Sequence, residues 1–205
     1  MKIGTCVNFS EIDGMGKKFA RLREHNFDSC QLVSWNPAAW TDENASLLKT
    51  LLEQYQITVS AFWCGWSGPA AWNFYDGPLT LGLVPVEYRQ MRIENLCDGA
   101  DFAHKLGITD VVTHMGFIPE NPYDPNFSSF CIAVRTVAEH LKKNGQCLLF
   151  ETGQETPVTM LRCFEAVGTD NLYVNLDTAN LILYGKANPA DALDVFGKYV
   201  RNLHA

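Results

Sequence analysis

The chain has 205 residues, 47% of them hydrophobic and 19% charged, with a formal net charge of −7. That is enough for one large domain with a real core, and the acidic balance makes nucleic acid a poor first expectation, since the average surface repels a phosphate backbone. There is no run of about 18 apolar residues and no cleavable apolar leader, so neither membrane insertion nor export is expected and the default compartment is the cytoplasm.

The N-terminal "MKIGTCVNF" goes straight into a strand pattern, Lys2–Phe9, and a second follows at Ser29–Trp35. Ala45, Leu48, Leu52 and Tyr55 step by three and four, the stripe of an amphipathic helix. The third strand, Ile57–Trp66, runs into one long loop, Ser67–Val84, which carries Trp72, Phe74 and Tyr75 among prolines and glycines. Loops of this kind often cover substrates, and a flap packed on its neighbours is the alternative. Gly107 precedes the fourth strand, Asp110–Gly116. Asp124-Pro125 caps a helix with Phe130, Val134, Val137 and Leu141 on one side, which Gly145 stops before the fifth strand, Cys147–Glu151. Thr156-Pro157 and Gly168 bracket the next helix, followed by the sixth strand, Leu172–Asp177. Asn188-Pro189 opens a helix bearing Leu193, Phe196 and Val200, and Arg201–Ala205 reads as a seventh strand.

Unbroken strand–helix alternation argues for a parallel sheet with helical crossovers. A doubly wound open sheet is one solution. The absence of a glycine-rich phosphate loop after the first strand and the even spacing of strands favour a single α/β domain over 1–205, a TIM (β/α)₈-type barrel. A whole barrel takes about 250 residues, so the expectation is a barrel truncated after its seventh strand, with two open edges that favour self-association. The seven cysteines form no C-x-x-C pair and are read as free thiols.

Glu151 in "LLFETG", Asp177 in "VNLDTAN" and His204 in "RNLHA" end three consecutive strands, 26 and 27 residues apart. One βα unit of spacing puts all three at the C-terminal rim, where barrel active sites are built. Singly, a glutamate there serves as a rim residue, an aspartate caps the next turn and a histidine sits at the surface. In common phase, two carboxylates and an imidazole match a site for one divalent metal ion, which relieves the repulsion between the carboxylates. Such ligands suit Mn²⁺, Mg²⁺, Co²⁺ or Zn²⁺. His114 in "THMG" ends the fourth strand, where it orients Glu151, touches substrate or is a satisfied core histidine. Trp63, Trp66 and Trp72 offer flat apolar walls, with core and loop packing as the alternative, favoured for Trp63.

"FETGQETP", "NLDTANLILYGKANPADAL" and "KYVRNLHA" resemble the sugar phosphate isomerase/epimerase family, the xylose isomerase-like TIM barrels, and the resemblance extends through "AFWCGWSGPAAWNF" and "THMGFIPENP". It implies that Glu151, Asp177 and His204 are three of four metal ligands, the fourth being a glutamate of an eighth strand. It also implies that the two glutamates form the acid/base pair of a sugar isomerase or epimerase of carbohydrate metabolism. Glu155 lies near a position that contacts substrate hydroxyls, closer to Glu151 than in the ketose epimerases. Asn180 stands where epimerases and the related endonucleases usually have histidine, which weakens an endonuclease reading. The expected partner is a small-molecule sugar or sugar phosphate bound near Trp66 and Trp72, and homo-oligomers are common among such proteins. The expected chemistry is proton abstraction next to a carbonyl through an enediolate, with Glu151 as base. A lyase on a polyol ketone with the same metal site, or a non-catalytic sugar-binding barrel, remains open.

Overall fold

In a computed structural model, which describes residues 2–205, the alternation becomes seven strands, β1 (Thr5–Asn8), β2 (Ser29–Ser34), β3 (Thr58–Cys64), β4 (Asp110–Thr113), β5 (Cys147–Glu151), β6 (Leu172–Asp177) and β7 (Val200–His204). Between them run α1 (Met15–Glu24), α2 (Asp42–Tyr55), α3 (Gly77–Thr80), α4 (Val86–Lys105), α5 (Pro125–Lys143), α6 (Pro157–Val167), α7 (Thr178–Leu183) and α8 (Pro189–Phe196). The strands pair in chain order, β1 to β7, every pair parallel. Strictly sequential order is the winding of a barrel; a doubly wound sheet reverses direction at a switch point, and none occurs.

The sheet curls far enough for side chains to meet across it. Gln31 of β2 bonds Asn175 of β6, and Arg201 at the start of β7 pairs with Asp110 at the start of β4 at 3.0 Å. Among the described residues β1 and β7 are the two edges, yet Cys6 Sγ of β1 lies 3.6 Å from His204 Nε2 of β7.

Alternation along each strand sorts the residues. In β5, Leu148 and Phe150 face the helices and join the outer core with Val111, Val174, Leu176, Phe130, Val134, Val137 and Phe164. Ala61, Trp63, Val112 and Leu149 form a separate apolar cluster. Continuing the alternation from Leu149 and Val112 puts Glu151 and His114 on that interior side, at the C-terminal end.

Three predicted caps form as written: Asp124 Oδ1 accepts from Asn126 N, Thr156 Oγ1 from Thr159 N and Asn188 Oδ1 from Ala190 N. The cysteines are all free. Among the described residues no helix is long and apolar enough to cross a membrane.

Several strand ends differ from the sequence expectation, β2 closing at Ser34 rather than Trp35 and β7 running Val200–His204 rather than Arg201–Ala205, and two of the differences have a visible local cause. β4 stops at Thr113 rather than Gly116 because His114–Gly116 turn out to meet the long loop, where Met115 O accepts from Leu83 N. A Cβ on Gly82 would stand 2.0 Å from Met115 O, and one on Gly116 2.2 Å from Leu81 O, so this crossing of two chains needs glycine on both sides. β3 stops at Cys64 rather than Trp66 because a Cβ on Gly65 would fall 2.5 Å from the Trp35 ring; the bare backbone makes room for that indole. β1 is Thr5–Asn8, not Lys2–Phe9, although Phe9 N still donates to Val33 O. Two further helices are short, α3 inside the long loop and α7 directly after β6.

Candidate metal centre

Strand register brings the three rim residues together. Glu151 is paired with Asn175, and Asp177 with His204. One ligand atom from each of Glu151, Asp177 and His204 falls within 4.8 Å of the others. His204 Nδ1 donates to Glu151 Oε1 at 2.7 Å and lies 3.3 Å from Asp177 Oδ2. Glu151 is 1% exposed and Asp177 8%. Asp177 caps the next turn and also faces the cluster. Its Oδ1 accepts from Asn180 N at 2.8 Å and caps α7, while its Oδ2 turns to His204.

The electrostatics are those of a cation site. Burial raises the Glu151 carboxyl above its ordinary value, partly offset by the bonds from His204 and Asn175. Cys6 beside Nε2, then Glu151 beside Nδ1, hold the His204 imidazolium up to about 10. The imidazolium proton thus balances two clustered carboxylates. A divalent cation would supply the same compensation with the imidazole neutral. Two carboxylate oxygens and a ring nitrogen are a donor set that fits Mn²⁺, Mg²⁺, Co²⁺ or Zn²⁺, and these three residues would hold it.

His114 is buried at the same rim. Its Nδ1 lies 3.2 Å from Gln154 Oε1, an acceptor, so Nδ1 carries the proton. Burial lowers its pKa to about 3, and His204 nearby adds to this, so the ring is neutral and Nε2 offers a lone pair. It sits edge-on to Trp63 at 5.2 Å and Trp72 at 4.8 Å. Trp35 continues the aromatic wall, 5.1 Å from Trp63, 5.0 Å from Trp66 and 6.0 Å from Trp72. Trp63 is therefore both core and wall. Trp66 is buried with its Nε1 unpartnered, and Trp72 is 44% exposed.

The loop bearing Trp72 is held from beneath. Arg92 of α4 is fully buried and donates to Gly82 O at 2.7 Å, Pro69 O at 2.8 Å and Ser67 O at 3.3 Å. Its guanidinium carbon lies 5.2 Å from the Trp66 ring. Arg89, one turn earlier, holds Leu83 O and Val84 O. At its tip Phe74 meets Tyr184, 5.4 Å between ring centroids.

Glu155 follows β5. It is 1% exposed, and neither carboxylate oxygen has a hydrogen-bond partner. Burial pushes its pKa up to about 8, against the weaker pull of the nearby Glu155 and Gln154 amides and of Lys186. Asn180 is half-buried at the start of α7 and is placed by its backbone bond to Asp177; its side chain makes no hydrogen bond among the described residues. Sequence reasoning missed Gln31, Asn175, Trp35 and Arg92. A glutamine in the apolar run "CQLV" and an asparagine two before Asp177 were visible signals; nothing in the mixed pattern of α4 marks Arg92.

The family described as xylose isomerase-like TIM barrel matches residues 19–205, and the chain belongs to it. Among solved structures, a xylose isomerase domain protein from Planctomyces limnophilus is 30% identical, with a TM-score of 0.91 over 98% of this chain and 72% of that one. An L-ribulose 3-epimerase shares the fold at 19% identity, TM-score 0.75, over 98% of this chain and 68% of that one. So does a xylose isomerase-like TIM barrel protein from Mycobacterium smegmatis in complex with magnesium, at 21% identity and TM-score 0.71, over 95% and 66%. No curated protein matches the chain.

Proposed function

We propose that the chain is a divalent-metal-dependent isomerase or epimerase of a small sugar or sugar phosphate. The observation that carries this reading is the convergence of Glu151, Asp177 and His204 within 4.8 Å at the C-terminal end of the sheet. The epimerase among its structural neighbours and the neighbour that holds magnesium support it.

A divalent cation held by Glu151, Asp177 and His204 would polarise a substrate carbonyl and offset negative charge developing on its oxygen. Glu151 is the base that takes the proton from the carbon next to that carbonyl. Burial has already raised its affinity for a proton. Neutral His114 accepts a substrate hydroxyl at Nε2, and Gln154 fixes which nitrogen is free to do so. Glu155, protonated up to about pH 8, donates a hydrogen bond to a substrate oxygen, and Asn180 adds an amide to the same polar edge. Trp66 and Trp72 hold the apolar face of the sugar and keep water from it.

The test is exchange, since loss of the proton to Glu151 needs only the first half of the reaction. A panel of ketoses and their phosphates is incubated with the Mn²⁺-loaded chain in D₂O. Deuterium should enter a ketose at the carbon next to its carbonyl, and should not with Glu151→Gln. An unsaturated product would favour the lyase reading, and Mn²⁺ binding with no exchange in any substrate would leave a sugar-binding barrel.

A further inference from the structure

Below the rim, Glu151 is held by a short line of amides. Asn175 of β6 donates from Nδ2 to Glu151 Oε2. Gln31 of β2, across the sheet, donates from Nε2 to Asn175 Oδ1 at 2.9 Å. Asn175 is completely buried and Gln31 is 8% exposed. The polarity of this line is dictated by its end. An ionised carboxylate only accepts, so Asn175 must turn its NH₂ to Glu151. That leaves Oδ1 facing Gln31, which must then present its own NH₂. Gln31 Oε1 is buried without a partner, so the line stops there.

As a stability device this pair is poor. It desolvates two amides and leaves one oxygen unsatisfied, a cost of its own, where apolar residues would fill the interior as Val112 and Leu149 do. What the arrangement supplies is direction. Glu151 Oε2 is pinned by an amide that is itself prevented from flipping, so Oε1 can face only His204 and Asp177.

We propose that Gln31 and Asn175 are positioning residues, a two-amide relay across the barrel that fixes how Glu151 presents its carboxylate to the donor cluster. The inference rests on the reading of Glu151, Asp177 and His204 as metal donors. Partners of this kind, one bond behind a ligand, typically change metal affinity 10- to 100-fold when removed.

Two measurements test it. The first needs no metal. In ¹⁵N-labelled chain the Asn175 side-chain amide should be shifted and slow to exchange with solvent. Gln31→Met, which keeps the length and removes the donor, should move that signal and speed its exchange about tenfold. A signal that stays in place overturns the relay. The second is Mn²⁺ titration by calorimetry with electron paramagnetic resonance of the bound ion. Gln31→Met should weaken binding about tenfold and alter the resonance line shape. Asn175→Leu should weaken it at least as much, and the double variant no more than Asn175→Leu alone. Unchanged affinity and spectrum in a folded Gln31→Met chain, or losses that simply add, overturn the proposal. If Asn175→Leu fails to fold, Gln31→Met still decides. If the unmodified chain takes up no Mn²⁺, it is the metal reading that falls, and the amide signal alone then decides whether Gln31 holds Asn175 on Glu151.

Discussion

The two walls of the barrel mouth are built from different chemistry. On one, β5, β6 and β7 end in Glu151, Asp177 and His204, with Asn175 behind them. On the other, β2, β3 and the long loop present Trp35, Trp63, Trp66 and Trp72. The first wall is fixed by strand register, where one residue of slip would turn every donor away. The second depends on a loop that α4 holds by its carbonyls. On the proposed function, charge and proton transfer would belong to the rigid wall, and shape to the one that sequence change can remodel.

The sharpest way to break that contrast is at the donors. Glu151→Gln and Asp177→Asn should each abolish Mn²⁺ binding, a loss beyond hundredfold in calorimetry; retained binding in either variant would make the cluster a structural ion pair. On the aromatic wall, Arg92→Met removes donors from three loop carbonyls, that of Gly82 buried and those of Ser67 and Pro69 part-buried, and should cost about 3 kcal/mol. That corresponds to a melting temperature lower by roughly 6–12 °C, and Mn²⁺ affinity should stay unchanged. A parallel loss of metal affinity would show that the walls are not independent.

Glu155 sharpens the comparison through pH. Its folded pKa of about 8 stands above the ordinary 4.5, so the folded state holds the extra proton and stability falls as pH rises from 4.5 to 8. His114, depressed from 6.5 to about 3, has the opposite sign: its contribution is lost as pH falls below 6.5. Between pH 6.5 and 8 only the Glu155 slope operates of these two, and it is worth up to about 2 kcal/mol there. Denaturant melts of Glu155→Gln should lack that slope, and a curve parallel to that of the unmodified chain would mean Glu155 is solvated and ionised. The smallest effect expected is Trp72→Ala. Half exposed, it should shift stability by less than about 1 kcal/mol while weakening sugar binding; a larger loss of stability with binding intact would make the loop a packed flap.

The donor wall was readable because it is periodic. Equal spacing by one βα unit, with residues at apolar strand ends, needs no knowledge of packing; barrel winding followed from the even strand–helix alternation and the caps from capping side chains set before prolines. Asn175 was readable by alternation from Asp177, and Gln31 as a polar interruption, although neither was singled out. The aromatic wall was not readable to the same depth. Trp35 reaches the mouth only because Gly65 lacks a side chain, and Arg92 acts through backbone carbonyls that leave no trace in residue identity. The close crossing of Gly82 with Gly116 ended β4 early for the same kind of reason: two chain segments distant in sequence share one space.

The double engagement of Asp177 has a kinetic side. α7 is six residues long, too short to persist by its own hydrogen bonds. Each time its first turn frays, Asp177 Oδ1 is released from Asn180 and the carboxylate is free to rotate. An ion held by Asp177 would damp that rotation, and an unfrayed helix would in turn keep Oδ2 turned toward His204. If Asp177 ligates an ion as proposed, fraying of this turn and escape of the ion would share a step, and the lifetime of the ion would depend partly on how often one short helix opens.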